Sequence, residues 1–251
     1  MKNSGNTILV TGGGSGIGRA LAEALQAQGN QLIIAGRRKE ALDATTAANP
    51  GMASLTLDIE SPEGIKAFVA QVSEQHPKLN VLINNAGIMR AENLRAEVID
   101  LADAEAIVLT NLLGPIRLTA ALLPLLRQQA NSTIINVTSG LAFVPLALTP
   151  TYSATKAALH SYTQSLRHQL AGSTTEVIEL APPAVQTDLM PGSATNPNGM
   201  PLAEYTAEVM SLLKANPNGP EICVQRVNFL RRAEAQGRFD ETFATLNQTR
   251  R

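Results

Sequence analysis

Six short apolar runs recur along the chain, at Ile8 to Val10, Gln31 to Ala35, Ser54 to Leu57, Val81 to Ile83, Thr133 to Val137 and Glu176 to Leu180. Several are nearly continuous rather than alternating, the pattern of strands covered on both faces. Longer stretches with helical spacing separate them. Gly16 to Gln28 reads as a helix closed by Gly29 at C′. Ser61-Pro62 reads as N-cap and N1 of a helix reaching about Gln75. Thr149-Pro150 repeats that signal, with a helix to about Gly172. Strands alternating with helices predict right-handed βαβ units and an α/β fold, a doubly wound parallel sheet of six or seven strands with helices on both faces. No linker, repeat or low-complexity block interrupts the pattern, so residues 1–251 read as one domain. Met190 to Pro201, rich in Pro, Gly, Asn and Ser, reads as a loop and a candidate lid. The stretch 190–251 is then lid loop plus C-terminal helices, with Pro220 to Ala235 and Arg238 to Leu246 helical rather than a seventh strand.

With 44 % hydrophobic residues among 251 and no Trp, the core must be built mainly of Ala, Leu, Ile and Val. A net charge of -1 gives no reason to expect nucleic acid or an anionic membrane as partner. The single cysteine, Cys223, cannot form an internal disulfide and fits a reducing compartment. No signal peptide is visible, and the longest apolar runs contain Pro and are too short to span a bilayer. A cytoplasmic protein is expected. His76, His160 and His168 show no ligand spacing with Cys223, so no metal site is expected; His160 and His168 read as helix surface.

Chemistry enters at the first turn. The first strand runs into Thr11-Gly12-Gly13-Gly14-Ser15-Gly16-Ile17-Gly18 and then a helix. Glycines at 12, 16 and 18 allow a tight turn and let a pyrophosphate approach the helix N-terminus. They could equally be a purely structural turn; their place between first strand and first helix favours the nucleotide reading, in a Rossmann-type unit. The second strand ends at Gly36-Arg37-Arg38, where a site for NAD places an acid against the ribose 2′-hydroxyl. A guanidinium there can bind a 2′-phosphate. The plain alternative is that both arginines only open a solvated helix.

Tyr152 and Lys156 lie four apart near the start of a helix and share a face. An ammonium beside a phenol favours phenolate, so Tyr152 reads as an acid or base with a lowered pKa. Ser139 follows the fifth strand at its carboxyl end, where ligands bind in such sheets.

Taken in order, Thr11-Gly12-x3-Gly16-x-Gly18, Asp58, Asn84-Asn85-Ala86-Gly87, Asn111, Ser139 and Tyr152-x3-Lys156 resemble the short-chain dehydrogenase/reductase family in its single-domain form. The resemblance implies that Tyr152 is the catalytic acid/base, that Lys156 binds the nicotinamide ribose and lowers the tyrosine pKa, that Ser139 polarises the substrate oxygen, and that Asn111 anchors a proton-relay water. It further implies cofactor contacts from Gly12, Gly14, Ser15, Gly16, Ile17 and Gly18 at the turn, from Arg37 and Arg38, from Asp58 and Ile59 at the adenine, from Asn85, Ala86 and Gly87, and from Pro182, Val185 and Thr187 near the nicotinamide. Pro182-Pro183 departs from the family's Pro-Gly, and Ser15 replaces a basic residue often found in NADP-binding members. The ending is similar to that of the bacterial DltE-like subgroup.

The expected activity is NADP(H)-dependent hydride transfer to or from a mainly apolar carbonyl or alcohol, with NAD(H) possible as cofactor. The substrate wall is expected to include Ser139, Leu141, Phe143, Val144, Tyr152, Pro183, Leu189 and Met190; Arg90 reads as surface. Two other classes stay open: an NADP-binding regulator with little turnover, and a partner-binding protein that keeps only the fold. Apolar stretches in Leu101 to Leu126 and Ala154 to Leu170, helices that family members pair across a two-fold axis, predict a homodimer. The missing seventh strand favours it over a tetramer.

Overall fold

The computed structural model describes residues 1–248; the last three residues of the expected domain, 249–251, lie outside the described residues. The strands are β1 (Thr7–Thr11), β2 (Gln31–Gly36), β3 (Ala53–Thr56), β4 (Val81–Asn84), β5 (Ser132–Val137), β6 (Thr175–Ala181) and β7 (Glu221–Cys223). They form one seven-stranded sheet in the order β3-β2-β1-β4-β5-β6-β7, and every pair is parallel. Each of the six apolar runs is a strand. The seventh strand is a correction: three residues from Glu221 pair with Glu179 to Ala181, too short a run to show a period of two. It also removes the reason for preferring a dimer to a tetramer.

The helices are α1 (Gly16–Ala27), α2 (Lys39–Ala48), α3 (Pro62–Gln75), α4 (Ala102–Val108), α5 (Gly114–Arg127), α6 (Pro150–Gln169), α7 (Leu202–Ala215), α8 (Asn228–Arg231) and α9 (Phe239–Leu246). Strand alternation sorts the core into two layers. Ile8 and Val10 of β1 join Leu21 and Leu25 of α1 with Tyr205 and Val209 of α7. Leu9 points the other way, into the layer of Phe68 from α3, Leu118 and Leu122 from α5, and Leu166 from α6. Both sheet faces are dry, which is why the runs lack polar alternation.

Gly29 ends α1 at φ 85°, and the Ser61 hydroxyl accepts from the Gly64 N–H at 2.9 Å, both as the sequence predicts. Thr149 departs from its prediction. It makes no side-chain cap to α6, its hydroxyl is buried without a partner, and the helix stops at Gln169. A π-helical turn, Leu109–Leu113, joins α4 to α5. The continuous helix Ala102–Arg127, at a mean hydropathy of 1.7, is long and apolar enough to cross a membrane. The sequence reading, which counted only uninterrupted apolar runs, missed it; here one face of the helix packs on α3 and β5.

Candidate active site

The carboxyl ends of β1, β4, β5 and β6 converge on one rim of the sheet, where an open parallel sheet places its ligands. The glycine turn leaves β1 with Gly12 at φ 68° and Gly16 at φ 52°. A Cβ on Gly18 would stand 2.4 Å from both the Asn85 amide nitrogen and the Gly12 carbonyl; only glycine lets α1 start this close to β4. Asn85 stitches the two strand ends: its N–H donates to the Thr11 hydroxyl at 3.0 Å and its Nδ2 to the Thr11 carbonyl at 2.9 Å. Thr187 faces the turn from beyond β6, 3.5 Å from where a Gly16 Cβ would lie.

This cradle fits a nicotinamide dinucleotide. The N–H groups of the first turn of α1 have no intrahelical acceptor and carry the positive end of the helix dipole, and the Ser15 hydroxyl caps none of them. Beside them, Arg38 Nη2 donates to Ser15 Oγ at 2.9 Å, while Gly36 contributes no side chain. Arg37 turns away to Glu60 at 2.8 Å. That carboxylate also accepts from the Thr110 hydroxyl at 2.6 Å. The sequence reading gave both arginines to the phosphate and missed Glu60. Asp58 is exposed at the end of β3 and accepts from the Glu60 N–H at 3.1 Å.

Tyr152, Ser139 and Lys156 are all buried. The Ser139 hydroxyl lies beside that of Tyr152, near enough to favour its phenolate, and accepts from the Leu141 N–H at 3.1 Å. Lys156 Nζ donates to the Val137 carbonyl at 2.9 Å and lies 5.5 Å from the centre of the Tyr152 ring. Burial pushes the phenol up to about 12, against a smaller lowering by the Ser139 hydroxyl. Burial likewise brings the Lys156 ammonium down to about 8. The sequence reading expected a lowered tyrosine; in the protein alone desolvation outweighs the neighbouring ammonium, whose proton is aimed at a carbonyl. Asn111 sits in the π-helical turn, its Oδ1 accepting from the Ile88 N–H at 2.9 Å and its Nδ2 donating to the Ile88 carbonyl at 2.8 Å.

Around Tyr152 pack Met89, Ile107, Ile88, Leu141, Leu146 and Met190. Of the expected wall, Leu141 and Met190 are in place and Leu189 is exposed at the rim. Pro183 is half-buried just past β6, and Pro182 ties that end to the serine loop by accepting from the Gly140 N–H at 2.8 Å. Val185 bridges to Met200. Phe143 is directed elsewhere, edge-on to His160 and under the Arg231 guanidinium, and Val144 is fully buried. Ile88, Met89 and Leu146 were missed because they lie in segments without period. So was Glu92, whose carboxylate accepts from both the N–H and the hydroxyl of Thr151 at 2.9 and 2.7 Å. It caps α6 in place of Thr149.

A family model described as short chain dehydrogenase matches residues 6–198. The chain is 38% identical to the uncharacterized oxidoreductase DltE of Bacillus subtilis over 252 residues, covering 98% of each chain. It is 30% identical over 181 residues to an uncharacterized oxidoreductase of Staphylococcus aureus, covering 71% of this chain and 78% of that one. A short chain dehydrogenase from Burkholderia cenocepacia, solved in complex with NADP, superposes with a TM-score of 0.83 at 26% identity, covering 99% of this chain and 100% of that one. A 3-ketoacyl-(acyl-carrier-protein) reductase from Brucella melitensis, complexed with NADH, superposes at 0.75 with 25% identity, covering 87% and 93%.

Proposed function

This chain belongs to the short-chain dehydrogenase family, oxidoreductases that bind a nicotinamide cofactor, and we propose that it is an NADPH-dependent reductase of mainly apolar carbonyl compounds. The observation that carries this reading is the neighbouring pair of buried hydroxyls, Tyr152 and Ser139, set against an apolar cluster at the carboxyl rim of the sheet. When bound, the nicotinamide supplies the hydride. Tyr152 gives its proton to the carbonyl oxygen, and Ser139 donates a hydrogen bond to the same oxygen. A phenol held at about 12 is fully protonated at neutral pH, the form that reduction consumes. Lys156 faces the phenolate left behind and holds down its cost. Asn111 fixes the Ile88 backbone beside them, and the resemblance adds the relay water there. The apolar wall excludes water and favours apolar substituents.

Solved relatives include one complexed with NADP and one with NADH, so local residues decide the preference. Gly36 offers no acid to a 2′-hydroxyl, and Arg38 stands with Ser15 at the turn; both support NADP(H). A panel of aldehydes, ketones and quinones, read by NADPH oxidation, tests the activity. Turnover of apolar carbonyls with NADPH, faster than with NADH, is expected. Absence of any turnover across the panel, with NADPH bound, would instead favour a regulator on this fold.

A further inference from the structure

One turn beyond Lys156 along α6, three side chains from three elements converge: His160 of α6, Glu179 of β6 and Glu221 of β7. One ligand atom from each lies within 4.8 Å of the others, the one such group among the described residues. Glu179 is 1% exposed, an expensive place for a carboxylate unless fully paired. Each of the three also has its second polar atom held from behind. Thr138 Oγ1 donates to Glu179 Oε1 at 2.7 Å. Arg231 Nε donates to Glu221 Oε1 at 2.6 Å. The amide of Gln164 meets His160 Nε2 at 2.8 Å. Turned so that its oxygen accepts, that amide fixes Nε2–H and leaves the Nδ1 lone pair facing the carboxylates. Such outer partners are what orient metal-binding imidazoles and carboxylates.

We propose that His160 Nδ1, Glu179 Oε2 and Glu221 Oε2 form a structural site for a divalent transition-metal ion, with zinc the best match to one imidazole and two carboxylates. The sequence reading expected no metal because it searched only histidine and cysteine spacings; two of these ligands are acids on strands. Nδ1 and Oε2 of Glu179 now share a hydrogen bond at 2.7 Å. Around zinc, with bonds of about 2.0–2.2 Å, neighbouring donors stand roughly 3.3 Å apart, so the imidazole must give up its Nδ1 proton and back away by several tenths of an ångström. A cavity of about 350 Å³ opens beside Glu221, bordered also by Asn216, Cys223, Asn228 and Arg231. Glu221 is the one of the three ligands that lines it, and the cavity leaves room there for a water as fourth ligand. Arg231 keeps Glu221 Oε1 and its place over the Phe143 ring, 4.6 Å from the centroid. The bound ion ties the edge strand β7 to the catalytic helix, one turn beyond Lys156.

The test uses the full, tag-free chain and zinc ion alone. Calorimetric titration should give one zinc per chain, and a hundredfold excess over Kd should raise Tm by roughly 5–10 °C. His160→Ala and Glu221→Gln should each abolish both effects, with folding checked by circular dichroism; His160→Gln serves if His160→Ala does not fold. Cys223→Ser should leave both effects intact, and the cobalt derivative should lack a thiolate charge-transfer band. No saturable binding, binding that survives the His160 and Glu221 variants, or loss of binding in Cys223→Ser overturns the assignment.

Discussion

At the scale of single residues, the proposed mechanism gives the proton transfer to the hydroxyl of Tyr152 and asks little else of it. Tyr152→Phe should cut turnover by ~10²–10⁴-fold while leaving the NADPH dissociation constant nearly unchanged; wild-type turnover in that variant would remove Tyr152 from the mechanism. The two arginines after β2, alike in sequence, separate in space. Arg38 stands at the turn and Arg37 is neutralised by Glu60. A charge-assisted hydrogen bond contributes about 1.5–3 kcal/mol. Arg38→Ala should therefore lower the NADPH-over-NADH preference by roughly 10- to 100-fold at low salt, less as salt rises, and Arg37→Ala by much less. Dissociation constants for the two cofactors decide between them. Lys156 carries a pH signature of its own. Its pKa falls from 10.5 unfolded to about 8 folded. Between those values the unfolded chain holds a proton that the folded chain has released, so this group makes stability rise with pH through that window. Urea unfolding of Lys156→Met should show that rise reduced, by on the order of 2–4 kcal/mol across the window. An unchanged slope would mean the ammonium is not desolvated.

Elements explain where the sequence was legible. Five of the six strands read from apolar runs carry four or more buried residues, so local pattern and tertiary environment agree. Ser61 and Gly29 were readable because a cap is a local bond. Thr149 was not, because its duty passed to Glu92, which caps Thr151 from 59 positions earlier in the chain and which no spacing rule connects to the helix. Helix α6 thus has a borrowed cap. Glu92→Ala should cost ~0.5–2 kcal/mol of stability and lower turnover less than Tyr152→Phe does. Guanidinium unfolding alongside steady-state rates checks this; an unaltered midpoint would show that the Glu92 contact contributes nothing. The seventh strand and the missed apolar wall fail for the same reason: neither β7 nor the loop through Ile88 and Met89 has a period, and only packing assigns them a role.

For the whole molecule, the long helix Ala102–Arg127 has only 44% of its most apolar window buried. That leaves apolar surface which further copies can cover, so a homo-oligomer at micromolar concentration is expected by light scattering, and a monomer there would defeat the reading. Strand order carries a further consequence, for synthesis rather than for catalysis. The sheet is laid down outward from β1 to β3, then reverses, and β4 to β7 extend it from the other side of β1 in chain order. Until residue 81 leaves the ribosome, the edge of β1 that will meet β4 has no partner. At 5–20 residues per second that wait, counted from the end of β2, is roughly 2–10 s. During that interval Ile8, Leu9 and Val10 line an open, apolar strand edge, the kind of surface on which nascent chains aggregate and which chaperones hold. After β4 docks, its own outer edge waits for β5, and those of β5 and β6 wait for β6 and β7 in turn, so the hazard moves outward along the sheet as translation proceeds.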